Sequence, residues 1–374
     1  MKRALFVSAF GPALGSGRAL RMYTVIRALA ELGPLDLAYV NHGAEEPSPE
    51  YQAIASIDFH PIRPSRGARR AVAFAGQKLR AVPGDYARSY SPELVAAAEA
   101  LAVAPGRGQV IGGDLNAFAA MRHLARRRPV AYNAHNIESS YNPSDRPSRV
   151  WERVALERFE TRALRIASES WMVSRLDMER AHRLAPGAKL RYVPNVVDVA
   201  AIEPVAPRER RDTVLMLGDF HYPPNRLGLA MLAGEVMPRV WAEAPHARLR
   251  VVGRGLEPGA YPDERIEVTG FVESLASAYV GADVVAVPLT ESGGTPLKFV
   301  EALAYGVPVV ATPLAAAGLD ARAGAHHLEG PDPAAFASRI LDVLRDGAPE
   351  LAARGRRLAE EEYSVATLVR LLAA

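Results

Sequence analysis

The sequence predicts an α/β protein of two doubly wound domains, each a parallel sheet with helices on both faces. Three observations carry that expectation. Short β-branched or apolar runs alternate with longer stretches of helical periodicity. The alternation ends near residue 200 and then restarts. The length of 374 residues suits two domains, and 49% hydrophobic residues fill two cores without staples.

In the first half, strands are predicted at Ala4–Phe10, Leu35–Val40, Gln109–Gly112, Pro129–Asn133 and Ser170–Ser174. Helices are predicted at Arg18–Leu32, Pro92–Val103, Leu115–Arg126 and Arg149–Ile166. The second half gives strands at Thr213–Leu217, Arg248–Val252, Arg265–Val268, Val284–Val287 and Val307–Thr312. Its helices fall near Leu227–Ala244, Ser274–Val280, Pro296–Tyr305, Pro333–Asp346 and Glu350–Glu361, with an amphipathic tail Tyr363–Ala374. Between the halves, Val193–Asp198 and the proline-rich, charged Glu203–Arg208 read as an interdomain linker. The boundaries expected are 1–200 for the first domain, with a last helix about 361–374 packing back onto it, and 201–360 for the second. Two such domains imply a ligand in the crevice outside the carboxyl ends of the strands.

Composition removes several chemistries. With no cysteine there is no disulfide, thiolate metal site or thiol nucleophile, which suits a reducing, cytoplasmic setting. No apolar run approaches the ~20 residues that span a bilayer. The run Ala4–Phe10 stops at Gly11-Pro12 and reads as a first strand, not a signal peptide. No nucleophile-elbow, Walker or zincin motif occurs, and Asp and His do not cluster at metal-ligand spacing. Asp283 precedes a buried strand, which argues against a metal-binding D-x-D.

The net charge of +3 hides an asymmetry. Residues 1–200 hold 28 Lys and Arg against 19 Asp and Glu, whereas the remainder holds 17 against 23. Basic residues gather at Arg63, Arg66, Arg69, Arg70, Lys78 and Arg80, and again at Arg126–Arg128. Two readings stand: a solvated basic surface, or contact of the first domain with anionic lipid or an anionic acceptor at the inner face of a membrane. The stretch Pro61–Asp85 includes a basic, helix-like Arg69–Val82, which suits contact with such a lipid or acceptor and an ordinary packed helix equally. Nucleic acid is not expected, because aromatics do not interleave with these charges.

The segment richest in chemistry is Leu289–Gly306, directly after a strand. Gly293 and Gly294 let a backbone approach a ligand closely. Thr295 fits an N-cap, Pro296 and Leu297 open a helix, and Gly306 closes it. Free N–H groups at that helix start favour an anion such as a diphosphate. Lys298 lies in the first turn, where the helix dipole disfavours a cation, so an anionic partner from outside is implied. Glu301, three residues on, projects from the same face and suits the two hydroxyls of a ribose diol. A plain Lys298–Glu301 surface pair fits the spacing equally well. In the first domain, Gly15, Ser16 and Gly17 follow the first strand and open a helix, which suits either a phosphate loop or a simple βα turn. His135, at the end of another strand in Ala131–Ser139, is placed for hydrogen bonding to a ligand or for a structural role, and Glu138 for a base or a cap.

At this point the residues resemble a family. Gly293–Thr312 (GGTPLKFVEALAYGVPVVAT) resembles the donor-binding signature of retaining GT-B glycosyltransferases of the family-four type. Further resemblances are Asn133–Ser139, Pro194–Asp198, Leu217–Asn225, Val251–Gly255, Thr269–Val272 and Tyr363-Ser364, so the likeness runs along essentially the whole chain. It implies the GT-B fold, two Rossmann-like domains facing across a cleft. It implies a nucleotide-diphosphate sugar as donor and a saccharide, glycolipid or natural-product acceptor, with no cofactor and no metal. Glu301 would hold the ribose hydroxyls, Gly293–Thr295 with Pro296 and Leu297 the diphosphate or sugar, and Lys298 the diphosphate charge. Arg254, Phe271 and Val272 would border the base. His135 would sit beside the transferred sugar, and Gly15–Gly17 would close on the phosphates.

Two departures matter. Many members carry a second glutamate where this chain has Gly293. Many also place an Arg and a Lys after the first strand of the second domain, where this chain reads Gly218–Arg226. Asp219, Asn225 and Arg226 then join the donor set, with Lys298 and Arg226 the diphosphate partners, in a pattern that resembles a branch associated with exopolysaccharide assembly. The alternatives are a GT-B sugar-nucleotide epimerase or hydrolase, for which no set of carboxylates assembles, and a non-catalytic partner subunit, motivated by the missing glutamate.

Overall fold

A computed structural model of the chain describes residues 2–43, 46–140, 150–206, 211–272, 274–291 and 295–374, with Ala119 and Ala120 as backbone. The chain divides into two compact units, Met1–Pro194 with Leu368–Ala374, and Asn195–Thr367.

The first unit holds seven strands: β1 Arg3–Ser8, β2 Leu35–Val40, β3 Ile57–Ile62, β4 Arg107–Gly112, β5 Ala131–Asn133, β6 Glu169–Met172 and β7 Leu190–Tyr192. They form one sheet in the order β3-β2-β1-β4-β5-β6-β7, with every pair parallel. The second unit holds β8 Thr213–Leu217, β9 Arg248–Val252, β10 Ile266–Gly270, β11 Val284–Val287, β12 Val309–Ala311 and β13 Leu328–Glu329. Their order is β10-β9-β8-β11-β12-β13, again all parallel. The two doubly wound sheets expected from the alternation are therefore both present. Central strands such as β2, β8 and β11 are buried along their whole length, as helices on both faces require.

Strand order reverses between β1 and β4 in the first unit and between β8 and β11 in the second. A crevice opens outside the carboxyl ends of strands at such a reversal. The helix Gly17–Leu32 follows β1, and the helix Pro223–Met231 follows β8, so each unit places a loop and a helix start at its reversal.

Several elements differ from expectation. β3, β7 and β13 were not predicted, and all three are edge strands. β3 contains Pro61, which an edge tolerates because one side needs no ladder donor. The helix expected from Leu227 starts at Pro223 and runs to Glu243 through a π turn at Leu232–Val236. The expected helix Leu115–Arg126 breaks into Leu115–Met121 and a 3-10 turn at Leu124–Arg126. The basic stretch forms the helix Ala68–Leu79.

The expected linker is not a free connection. From Asn195 onward it packs into the second unit, with Val196, Val197 and Val199 buried. The Val197 N–H donates to the Tyr363 carbonyl at 2.9 Å, and the Val205 N–H to the Tyr305 carbonyl at 2.8 Å. Pro207 and Arg208 lie outside the described residues. In the first unit, the Arg191 guanidinium donates to the Leu371 carbonyl, which ties Leu368–Ala374 to β7.

Candidate functional site

The site in the second unit is assembled by loops tied together at the carboxyl ends of β8, β9 and β10. The Gly218 N–H donates to the Val252 carbonyl at 3.0 Å, Gly253 N–H to Gly270 at 2.8 Å, and Phe220 N–H to Arg254 at 2.8 Å. Gly253 has φ of 143°, and a Cβ placed there would lie 1.7 Å from the Gly218 carbonyl oxygen. Only glycine permits that approach.

Across the β8–β11 reversal stands the helix Leu297–Ala304. Its carboxyl end matches expectation. Gly306 has φ of 68°, its N–H reaches the Leu303 carbonyl, and the Val307 N–H reaches Ala302, which is a full Schellman motif. Its amino end needs correction: Thr295 is not the N-cap. Pro296 occupies the cap position in an extended conformation and has no side chain able to cap. The buried Thr295 instead accepts from Asn195, whose Nδ2 lies 2.8 Å from Oγ1 and 3.2 Å from the Thr295 carbonyl. Gly293 and Gly294 lie outside the described residues.

Lys298 and Glu301 leave this helix on one face, but each has its own partner. The Lys298 ammonium donates to Asn225 Oδ1 at 2.8 Å, and Asn225 Nδ2 donates to the Asp219 carbonyl at 2.8 Å. Glu301 is buried and accepts from the Tyr279 hydroxyl at 3.3 Å. Tyr279 stacks on Tyr305 with ring centroids 4.2 Å apart. The solvated surface pair is therefore not what forms. Burial lowers Lys298 to about 8 and raises Glu301 to about 7, each partly offset by the other's charge. A cation and a carboxylate are thus both held short of full solvation at a strand reversal, where a ligand can supply what water does not.

The remaining candidates of this unit lie on the loops that follow β8, β9 and β10. Arg254 is exposed, and its guanidinium lies over the Phe271 ring, 4.4 Å from the centroid. Phe271 is 59% exposed, an unusual cost for a large apolar side chain, while Val272 packs against the core. Asp219 Oδ1 is occupied by the His221 N–H and Nδ1, both at 2.9 Å. Arg226 is exposed and folds back on its own loop, donating to the Phe220 and His221 carbonyls at 3.3 and 3.2 Å. Of the two residues, Asn225 takes the inward position beside Lys298. Asp283 Oδ2 accepts the backbone N–H groups of Asp212 and Thr213, both at 2.9 Å, and so closes a strand start.

The first unit places its candidates at the equivalent edge of its own sheet. Gly15 has φ of 118°, and Ser16 caps the following helix by accepting from the Ala19 N–H at 3.2 Å. Gly17 is the first helical residue. The buried Arg21 donates to the Val193 carbonyl at 2.9 Å and to Asn133 Oδ1 at 2.7 Å, and Asn133 Nδ2 donates to the Gly113 carbonyl at 3.0 Å. Gly113 also accepts from His135 Nε2 at 2.9 Å. A carbonyl only accepts, so Nε2 carries the proton and Nδ1 presents a lone pair. That Nδ1, and Asn136 Oδ1 beside it, are buried without a partner among the described residues. Burial, then Arg21 and Arg18, hold His135 down to about 3, so the ring is neutral. Glu138 is raised to about 7, mainly by burial. The fully buried Glu160 pins this loop by accepting from the Glu138 N–H at 2.8 Å and from the Ser139 N–H and hydroxyl at 3.1 and 2.6 Å.

Arg21, expected with Arg18 beside a phosphate at the Gly15–Gly17 loop, is turned to Val193 and Asn133. Asn195 was read only within the Pro194–Asp198 resemblance, and Tyr279 and Glu160 were not read from the sequence. Each acts on a partner distant in sequence, and no spacing rule marks such pairs.

Comparison with known proteins bears on the fold and on the second unit. Residues 211–346 match the family model described as "Glycosyl transferases group 1". A phosphatidyl-myo-inositol mannosyltransferase of Mycolicibacterium smegmatis is 34% identical over 143 residues, and the match spans 35% of this chain and 36% of that relative. Among solved structures, sucrose-phosphate synthase from Thermosynechococcus elongatus is similar over 100% of this chain and 98% of its own, at 18% identity and a TM-score of 0.75. HepE of Anabaena, solved with UDP and glucose, is similar over 100% and 98% at 16% identity and a TM-score of 0.70. The fold is therefore GT-B, and within the second unit residues 211–346 are similar to the group 1 glycosyl transferases.

Proposed function

We propose that the protein is a glycosyltransferase that moves a sugar from a nucleotide-diphosphate sugar to a saccharide, lipid-linked or natural-product acceptor, with retention of configuration and without a metal. The observation that carries this reading is the Lys298–Glu301 arrangement: two partly desolvated, opposite charges on one helical turn at the β8–β11 reversal. The relatives' names agree, since one is a mannosyltransferase and another was solved with UDP and glucose.

In this reading Glu301, steadied by Tyr279, accepts the two ribose hydroxyls, which favours its ionised form. Lys298, aimed by Asn225, neutralises charge on the diphosphate as the glycosidic bond breaks and the leaving group gains negative charge. The exposed Phe271 offers a face to the base, with Arg254 on its other side. In the first unit, the neutral His135 accepts a sugar hydroxyl at Nδ1, because its only N–H is engaged by Gly113. It is therefore a positioning acceptor and not an acid. Retention follows if the acceptor attacks the face the diphosphate leaves, with the diphosphate taking the acceptor's proton, a route that needs no protein nucleophile.

The test is calorimetry of UDP, GDP, dTDP and ADP and their sugar conjugates with EDTA present. Selective binding of one nucleoside diphosphate, with transfer from its conjugate intact, supports the reading. A folded protein that binds none of them removes it, and transfer restored only by magnesium or manganese removes its metal-independent part.

A further inference from the structure

The helix Ala68–Leu79 has an inward face of Ala73, Phe74 and Gln77, with Phe74 packed against a core that includes Val82 and Phe159. Its outward face carries Ala68, Val72, Ala75 and Leu79 at helical spacing, all exposed, with Val72 at 73% and Leu79 at 90%. Arg69, Arg70 and Lys78, also exposed, flank that stripe, and no acidic residue occurs between Asp58 and Asp85. At the helix end Ala81 turns the chain in the left-handed region, sending Val82 into the core and leaving Leu79 and Arg80 outside.

Arg80 does not stand alone. Charge on Arg122, from the end of the helix Leu115–Met121, is disfavoured first by burial and then by its neighbours Arg80, Arg126 and Arg162, with Tyr90 opposing. His123 adjoins Arg122, Arg80 and Arg126 as well, with Glu99 the opposing acid. Arg80, Arg126 and Arg162 are exposed, and among the described residues none of the four guanidinium groups is hydrogen-bonded or ion-paired. Four like charges from four elements, unneutralised beside an exposed apolar stripe, are complementary to an anionic surface with an apolar interior.

We propose that the first unit docks on an anionic phospholipid membrane, with Val72 and Leu79 entering the interface and Arg80, Arg122, Arg126 and Arg162 meeting headgroup phosphates. A dissolved phosphate or a nucleic acid would use the arginines alone and leave the apolar stripe in water. The proposal rests on the first unit and is independent of the donor reading.

The experiment is flotation of the full chain with vesicles of phosphatidylcholine, with and without phosphatidylglycerol. The chain is expected to bind the phosphatidylglycerol vesicles at least about tenfold more tightly, and to lose that preference at high salt. V72S/L79S, which touches only exposed side chains, is expected to lose at least about tenfold at unchanged charge. R80Q/R126Q/R162Q is expected to bind both vesicles equally weakly. Circular dichroism and the thermal midpoint check that both variants stay folded. Absence of vesicle binding overturns the proposal, as does equal binding to both lipids by the unaltered chain. Binding that V72S/L79S leaves intact also overturns it, since the arginines then act as a site for soluble anions.

Discussion

The ammonium of Lys298 lies 2.8 Å from Oδ1 of Asn225, a neutral amide where a carboxylate would be the ordinary partner. The amide orients the cation without cancelling it, so the charge stays available to a diphosphate. Asn225→Ala removes the hydrogen bond from Lys298, and with it the one to the Asp219 carbonyl, and is expected to weaken nucleoside diphosphate binding about two- to tenfold. Asn225→Asp keeps the shape but neutralises Lys298 and repels the ligand, so its loss is expected to exceed that of alanine by at least about tenfold. Calorimetry of both variants decides the matter: an aspartate variant that binds as well as wild type would separate Lys298 from the diphosphate.

Donor affinity should depend on pH with a maximum between about 7 and 8. Glu301 has its pKa raised to about 7, and holding a diol requires the carboxylate, so below pH 7 binding must expel a proton. Lys298 is lowered to about 8, and meeting a diphosphate requires the ammonium, so above pH 8 binding must take one up. Each unit of pH outside this window is expected to approach a tenfold loss in affinity. Glu301→Ala should remove the acid limb and weaken binding about ten- to a hundredfold, since hydrogen bonds to a charged group are worth about 1.5–3 kcal/mol each. Titrations at several pH values in buffers of different ionisation enthalpy check both the limbs and the proton count.

The fold was legible because its central strands are continuous apolar runs and its helices are periodic. Of the edges, only β10 was: β3 alternates and contains Pro61, and β13 is two residues long, so neither stands out from loop. Within the site, Lys298 was conspicuous because a cation in a first helical turn is misplaced, and Glu301 because three residues put it on the same face. Asn225 and Tyr279, which hold them, sit 73 and 22 residues from their partners. Their contacts arise from the β8–β11 reversal, which only the folded topology creates. Thr295 was misread as a cap for a similar reason: Asn195 claims its hydroxyl from 100 residues away.

Gly253 should be intolerant of any side chain. Its Cβ would meet the Gly218 carbonyl at 1.7 Å, backbone against backbone, so neither partner can rotate away. Gly253→Ala is expected to destabilise the second unit by about 3 kcal/mol or more and to displace the Gly218–Asn225 loop, weakening nucleotide binding as well. Gly234→Ala is the control. It lies in the helical stretch Leu232–Val236, where an added Cβ would meet nothing within 4 Å, and is expected to be neutral or to stabilise by about 0.5–1 kcal/mol. Urea midpoints of the two variants that fall together would show that the loops do not require this close approach.

Ala81 occupies the left-handed region at φ of 57°, at the position where a helix end of this kind normally uses glycine. The surrounding hydrogen bonds are in place: the Ala81 N–H reaches the Lys78 carbonyl at 2.9 Å and the Val82 N–H reaches Gln77 at 3.1 Å. Its methyl is exposed, so it contributes no packing to offset a strain of about 1–2 kcal/mol. Glycine relieves that strain but gives the unfolded chain more freedom, so Ala81→Gly is expected to stabilise the first unit by a net of about 0.5 kcal/mol. Ala81→Val adds a β-branched side chain in the same conformation and is expected to cost more than about 1 kcal/mol. Opposite shifts of the unfolding midpoint for the two variants would confirm the turn, and with it the geometry that keeps Leu79 and Arg80 outside the core. A glycine variant less stable than wild type would mean that residue 81 does not adopt the left-handed conformation in solution.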